Sequence, residues 1–212
     1  MKFIIMANGQ YGDINYYASK FSGAESILCA DGGANYAYQL GWRPAAIVGD
    51  MDSILPEIRN HFTQAGVPFT LLPRRKDVTD TQEVLALAKA MGATEIIMLG
   101  TLGGRLDHTL SNIYSGLDLI KQNIKISHIS SEVSVYLVNK ELEICGGKGD
   151  LVSILSLTGA SRGVTISGFE YPLQNVCLEK GNPYAVSNVM TGSKGTVHLQ
   201  EGVLAVFHYL QV

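Results

Sequence analysis

An α/β fold is predicted: an N-terminal Rossmann-like domain with a parallel sheet, followed by a smaller antiparallel β-sandwich. Two observations carry it. Over the first 130 residues, short continuous apolar runs alternate with helix-like segments, the pattern of parallel strands covered on both faces. Beyond residue 130 the helices stop, and short strand-like runs follow one another with glycine-bearing turns between them. The boundary separates residues 1–130 from residues 131–212, with no Pro- or Ser-rich linker and no internal repeat.

Taken in order, Phe3–Met6 is the first strand and Ile14–Phe21 a short helix. Ile27–Ala30 is the second strand, followed by a helix that ends at Gly41. Ala46–Val48 is the third, and Ile58–Gln64 a helix stopped by Gly66. Phe69–Leu72 leads to a helix over Thr81–Met91, closed by Gly92. Ile96–Leu99 leads to a helix over Asp107–Lys121 and then to a strand at Ile124–Ile129. In the second half the strands are Val133–Val138, Leu142–Ile144, Leu151–Leu157, Gly163–Ser167, Thr196–Leu199 and Val203–Leu210. Val203–Phe207 is apolar on both faces, so one face meets the core and the other a neighbouring sheet or a second subunit.

Composition narrows the function. A net charge of −3 gives no support to nucleic-acid binding, and Arg74-Arg75-Lys76, the only basic run, is too short for a nucleic-acid arm. Three cysteines without close spacing argue against a disulfide framework or a zinc site and favour a reducing compartment. No run reaches the roughly 18 apolar residues that span a bilayer, and the N-terminal apolar run is too short for a signal peptide. A cytoplasmic protein is expected, without a membrane or nucleic-acid partner.

Polar clusters follow four of the predicted strands: Asp31–Asn35, Gly49–Ser53, Lys76–Thr81 and Gly100–His108. Six of the nine aspartates lie in them, and in an open parallel sheet such loops converge on one crevice at the carboxyl ends of the strands. Asp50 and Asp52, one residue apart at a strand end, are expected to point the same way and to suit Mg²⁺, with the alternative that both cap a turn. The expectation is a magnesium-nucleotide site. Asp80 has capping-box spacing with Glu83 and is also read as the N-cap of its helix; Asp77 has no capping role and points to metal or substrate. Gly32-Gly33 and Gly103-Gly104 are turns, or places where backbone amides approach phosphate, though neither common nucleotide-loop fingerprint is present. Arg105 offers a planar fork to a phosphate. His108 is a general base or a structural histidine at a helix start; His61, His128, His198 and His208 are scattered and read as structural.

In this order and spacing, D-G-G-A-N at Asp31–Asn35, G-D-x-D-S at Gly49–Ser53, D-x-T-D at Asp77–Asp80 and G-x-x-G-G-R-x-D-H at Gly100–His108 resemble thiamine pyrophosphokinases. Gly168–Leu173 and Ser187-Asn188 resemble that family's thiamine-domain signatures, with a departure at Met190, where relatives often place an aromatic. The resemblance implies that ATP and thiamine give thiamine diphosphate and AMP, in a homodimer with its site between subunits. It implies Asp50, Asp52 and Asp80 on Mg²⁺, with Asp77 as helper. Arg105 would hold the triphosphate, with Gly32, Gly33, Gly103 and Gly104 amides assisting; Asp31, Asn35, Asp107 and His108 lie toward the nucleotide. Tyr171, Ser187 and Asn188 would receive thiamine; without the resemblance Ser187-Asn188 reads as an ordinary turn. Two rivals stand beside it: a metal-dependent glycosyltransferase using Asp50-x-Asp52, and a non-catalytic nucleotide or thiamine sensor.

Overall fold

The computed structural model describes residues 1–22, 26–73 and 77–210; the run Arg74-Arg75-Lys76 lies outside the described residues. The chain divides into two compact units, residues 1–119 with 128–131, and residues 120–127 with 132–212.

The first unit begins β1 (Lys2–Met6), α1 (Ile14–Lys20), β2 (Ser26–Ala30), α2 (Gly33–Gln39), β3 (Ala46–Gly49) and α3 (Pro56–Gln64). It continues β4 (Phe69–Leu71), α4 (Asp80–Ala90), β5 (Glu95–Leu99) and α5 (Leu106–Ser115). Then α6 (Leu117–Ile120) and β6 (Lys125–Ile129) carry the chain toward the second unit. Strands β1 to β5 are parallel in the order β5-β1-β2-β3-β4, with Ile4 opposite Ile27 on one side and Ile97 on the other. Phe3, Ile4, Ile5 and Met6 are all fully buried, which requires cover on both faces. Each such side chain contributes roughly 1.5–3 kcal/mol of hydrophobic stabilisation. From β1 the chain winds outward to β4 and then returns to the other side of β1 as β5. The point where strand order reverses therefore lies at the carboxyl ends of β1 and β5, where open α/β sheets bind ligands.

Two helix details differ from the sequence reading. The N-cap of α4 is Thr79, not Asp80: its hydroxyl accepts from the Gln82 N–H at 3.2 Å, and the Gln82 side-chain oxygen accepts from the Thr79 N–H at 2.8 Å. Thr79-Asp80-Thr81-Gln82 satisfies the capping-box pattern one residue earlier and leaves Asp80 as the first helical residue. The single helix expected over Asp107–Lys121 is two, α5 and α6, broken at Gly116, a poor helix-interior residue.

The second unit is a sandwich. Strands β7 (Val133–Val138), β8 (Glu141–Cys145), β9 (Leu151–Ser156) and β10 (Ala160–Ser167) are followed by β11 (Leu173–Glu179), β12 (Asn188–Val189), β13 (Lys194–His198) and β14 (Leu204–Tyr209). One antiparallel layer runs β12-β9-β14-β7 and the other β11-β10-β13-β8. Between them lies a core that includes Ile144, Val152, Ile154, Val164, Ile166 and Val206. Strands β11 and β12 were not expected.

Candidate functional site

A cleft of about 760 Å³ opens in the first unit at the strand ends. Its wall includes Asp31, Ser53, Asp80, Gly103, Gly104 and Arg105, so all four sequence clusters contribute. A fifth wall is the loop Ala7-Asn8-Gly9-Gln10 after β1. Sequence reasoning missed it because it carries no charge, yet the rule about strand ends applies to β1 as well.

The acidic centre is Asp31, Asp50 and Asp52, each offering a carboxylate oxygen within 4.8 Å of the others. Strand β3 ends at Gly49, so pleating does not align Asp50 with Asp52. Met51 takes a left-handed conformation (φ 64°) and turns its own side chain into the core. Asp31 is left-handed as well (φ 44°), a geometry that aspartate tolerates better than most residues. It abuts Gly49, where an added Cβ would meet the Asp31 Cβ at 2.8 Å; the glycine lets the two loops approach. Burial pushes the Asp31 carboxyl up, and the Asp50 and Asp52 carboxylates push it the same way. Hydrogen bonds from Ser53 and the Gly32 amide pull it back. Its Oδ1 is buried with no hydrogen-bond partner. An orphaned carboxylate oxygen beside two more acids is a donor set that suits a hard divalent cation. Asp80 stands on the cleft wall but outside this trio, and Asp77 is exposed.

Asn35 anchors the acidic loop rather than lining the cleft. Its Nδ2 donates to the Ser53 carbonyl at 2.9 Å, and its Oδ1 accepts from the Leu55 N–H at 3.1 Å. Gly32 and Gly33 have packing duties: a Cβ on Gly33 would strike the Met6 carbonyl, and one on Gly32 would meet the Asn8 side chain. Gly103 and Gly104 are both left-handed (φ 83° and 64°) and form the turn that presents Arg105. Arg105 grips Asp107 with both prongs, Nε to Oδ1 at 3.1 Å and Nη2 to Oδ2 at 2.5 Å. The hydrogen-bonded guanidinium holds the Asp107 carboxyl down at about 2. His108 is exposed on the same wall.

Helix α5 adds Ser111 and Asn112, which with Asp107 and His108 follow the i, i+4 spacing of one helix face, a signal readable in the sequence. Asn112 Nδ2 donates to the Thr101 carbonyl at 3.0 Å. Tyr36 of α2 also lines the cleft, stacked on Tyr11 with ring centroids 4.0 Å apart.

In the second unit the two signature segments meet. The Asn188 carboxamide accepts from the Tyr171 N–H at 3.0 Å and donates to the Tyr171 carbonyl at 2.8 Å. Asn188 is buried and spends its side chain on that backbone, whereas Tyr171 is 68% exposed. Ser187 is exposed and left-handed (φ 56°), and its N–H donates to Ser153 Oγ at 3.0 Å. Met190 is buried in the sandwich core, so its side chain is packed there rather than presented at the surface.

An acidic, glycine-edged cleft at the switch point of a parallel sheet, on one chain with a β-sandwich, is the build of a nucleotide-dependent transferase. The profile described as "Thiamin pyrophosphokinase, catalytic domain" matches residues 17–128, and "Thiamin pyrophosphokinase, vitamin B1 binding domain" matches residues 135–204. The chain belongs to the thiamin pyrophosphokinase family, a family of diphosphotransferases. It is 29% identical over 164 residues to a thiamine pyrophosphokinase of Bacillus subtilis, covering 76% of each chain. It is 28% identical over 189 residues to thiamine pyrophosphokinase 1 of Oryza sativa, covering 77% of this chain and 71% of the relative. The crystal structure of the Bacillus subtilis thiamine pyrophosphokinase superposes with a TM-score of 0.87 at 26% identity, covering 100% of both chains.

Proposed function

We propose that this chain transfers the diphosphate of ATP to the hydroxyl of thiamine, giving thiamine diphosphate and AMP. The reading rests above all on one observation: Asp31, whose carboxylate meets those of Asp50 and Asp52, lines the same cleft as Asp80 and the Gly103–Arg105 turn. In the reaction a bond forms between the thiamine oxygen and the β-phosphorus. The bridge to the α-phosphorus breaks, its oxygen leaves with AMP, and the hydroxyl gives up its proton.

Asp31, Asp50 and Asp52 would hold Mg²⁺, and the orphaned Asp31 oxygen supports the fit. Asp80, on the same wall, completes the carboxylate set, with Asp77 as a helper. A bound magnesium ion would neutralise charge on the phosphate oxygens. Arg105 binds the triphosphate through the guanidinium N–H groups that Asp107 does not take, and the Gly103 and Gly104 amides assist it. His108 and Asp107 stand beside them toward the nucleotide. Tyr171 and Ser187 receive thiamine, while Asn188 positions the Tyr171 segment. Asn35 positions the acidic loop.

The chain would act as a homodimer in the cytoplasm. Leu151 and Tyr209 support the dimer, being large, exposed and paired in register on β9 and β14. Among the described residues no helix is long and apolar enough to cross a membrane.

Incubation with Mg-ATP and thiamine, followed by chromatography, tests the reading. AMP and thiamine diphosphate are expected in equal amounts. Nucleoside diphosphate released from a nucleotide sugar would support the glycosyltransferase instead, and binding without consumption would support the sensor.

A further inference from the structure

Among the described residues, two buried side-chain polar atoms lack a hydrogen-bond partner. One is Asp31 Oδ1, already assigned to the acidic centre. The other is Nε2 of His128, a fully buried residue of β6. Its other ring nitrogen, Nδ1, lies 2.8 Å from the hydroxyl of Thr101. Thr101 lines the cleft between β5 and the Gly103-Gly104 turn, and its carbonyl is pinned by Asn112.

We propose that His128 is a positioning residue: it carries its proton on Nδ1, donates it to the Thr101 oxygen, and so commits the Thr101 O–H to donate to a phosphate oxygen in the cleft. The phosphate belongs to the nucleotide of the proposed function, on which the inference rests.

Three considerations select this arrangement. The 2.8 Å contact alone allows either direction of donation. A proton on Nε2 would bury an N–H with no acceptor, whereas a proton on Nδ1 leaves only a bare lone pair there. Buried orphan donors are rarer in folded proteins than under-satisfied acceptors, so Nδ1 is the protonated nitrogen. The doubly protonated ring is excluded for the same reason, and burial pushes the His128 ring down to about 4, so it is neutral near pH 7. With its oxygen accepting from His128, Thr101 has a proton and no protein acceptor for it among the described residues. A hydroxyl held as a donor on the wall of a cleft beside Arg105 selects an anion.

Two measurements on the full chain test this. Two-bond ¹⁵N–¹H correlation spectra of histidine-labelled protein report which ring nitrogen is protonated. The His128 signals, assigned by their loss in His128→Asn, should show the proton on Nδ1; a proton on Nε2 overturns the proposal. Second, affinities for ATP and for inorganic triphosphate are compared across variants. Thr101→Val should weaken both about ten- to a hundredfold, the size of one hydrogen bond to a charged group, and Thr101→Ser should restore both. His128→Asn keeps a donor near the Nδ1 position and should bind more tightly than His128→Leu. Wild-type ATP affinity in Thr101→Val, or a loss for ATP with none for inorganic triphosphate, also overturns it. If His128→Leu fails to fold, the tautomer and the Thr101 pair still decide. These readouts need no thiamine: the expected pattern without thiamine diphosphate formation would sink the proposed function and leave this inference standing.

Discussion

The side chain of Asn35 ties the acidic loop to helix α2, donating to the Ser53 carbonyl at 2.9 Å and accepting from the Leu55 N–H at 3.1 Å. The geometry of Asp50 and Asp52 thus depends on a residue from a different strand–helix unit. Asn35→Ala removes both bonds, at about 0.5–1.5 kcal/mol each. It should lower the denaturant midpoint and reduce kcat more than tenfold. Unchanged kcat in a folded Asn35→Ala would show that the loop holds itself.

Asp31 is the most buried of the three clustered acids, and its like-charged neighbours are unfavourable without a cation. Asp31→Asn and Asp52→Asn should each lower kcat by about a thousandfold, some 4 kcal/mol of transition-state stabilisation. In metal-free buffer neither should lower Tm. Chelation with EDTA should abolish turnover, and added Mg²⁺ should restore it.

Arg105 is held in its fork geometry by Asp107 at 3.1 Å and 2.5 Å. Lysine keeps the charge and loses the fork, so Arg105→Lys should cost about ten- to a hundredfold in kcat/KM for ATP. Steady-state kinetics at saturating thiamine measure it. An equal rate would reduce Arg105 to a point charge.

Much of this site was legible because charge is conspicuous. Four acidic or basic clusters after four strands lead straight to one cleft by the rule of strand ends. What stayed hidden had no such mark. Asn8-Gly9-Gln10 is uncharged, and Asp31 joins Asp50 and Asp52 through backbone conformations, left-handed at Asp31 and Met51, that composition does not announce. Thr101 and His128, 27 residues apart, meet only in the folded sheet. The fold followed the same division. Buried strands such as β1 stand out as apolar runs, whereas β11 is an edge strand with Leu178 alone buried, and β12 is only two residues long.

His128 gives a pH signature. Its ring is held down to about 4 when folded and titrates near 6.5 when unfolded. Between those values the unfolded chain binds the extra proton, so stability falls as pH drops from 6.5 toward 4 and is unaffected by this group above 6.5. The full loss is about 3 kcal/mol, at 1.36 kcal/mol per unit. Urea titrations across that window should show the loss in the wild type and lack that component in His128→Asn.

Asn188 serves the second unit by holding the Tyr171 backbone. Asn188→Ala should raise KM for thiamine about tenfold while leaving KM for ATP within a factor of two. Equal shifts in both constants would point to general loosening of the fold instead.

The central claim is transfer of two phosphoryl groups together, and ATP labelled at the β-phosphorus tests it directly. The account predicts that label appears in thiamine diphosphate while unlabelled AMP is the sole nucleotide product. Labelled ADP together with unlabelled thiamine monophosphate, or no thiamine ester at all, would contradict it.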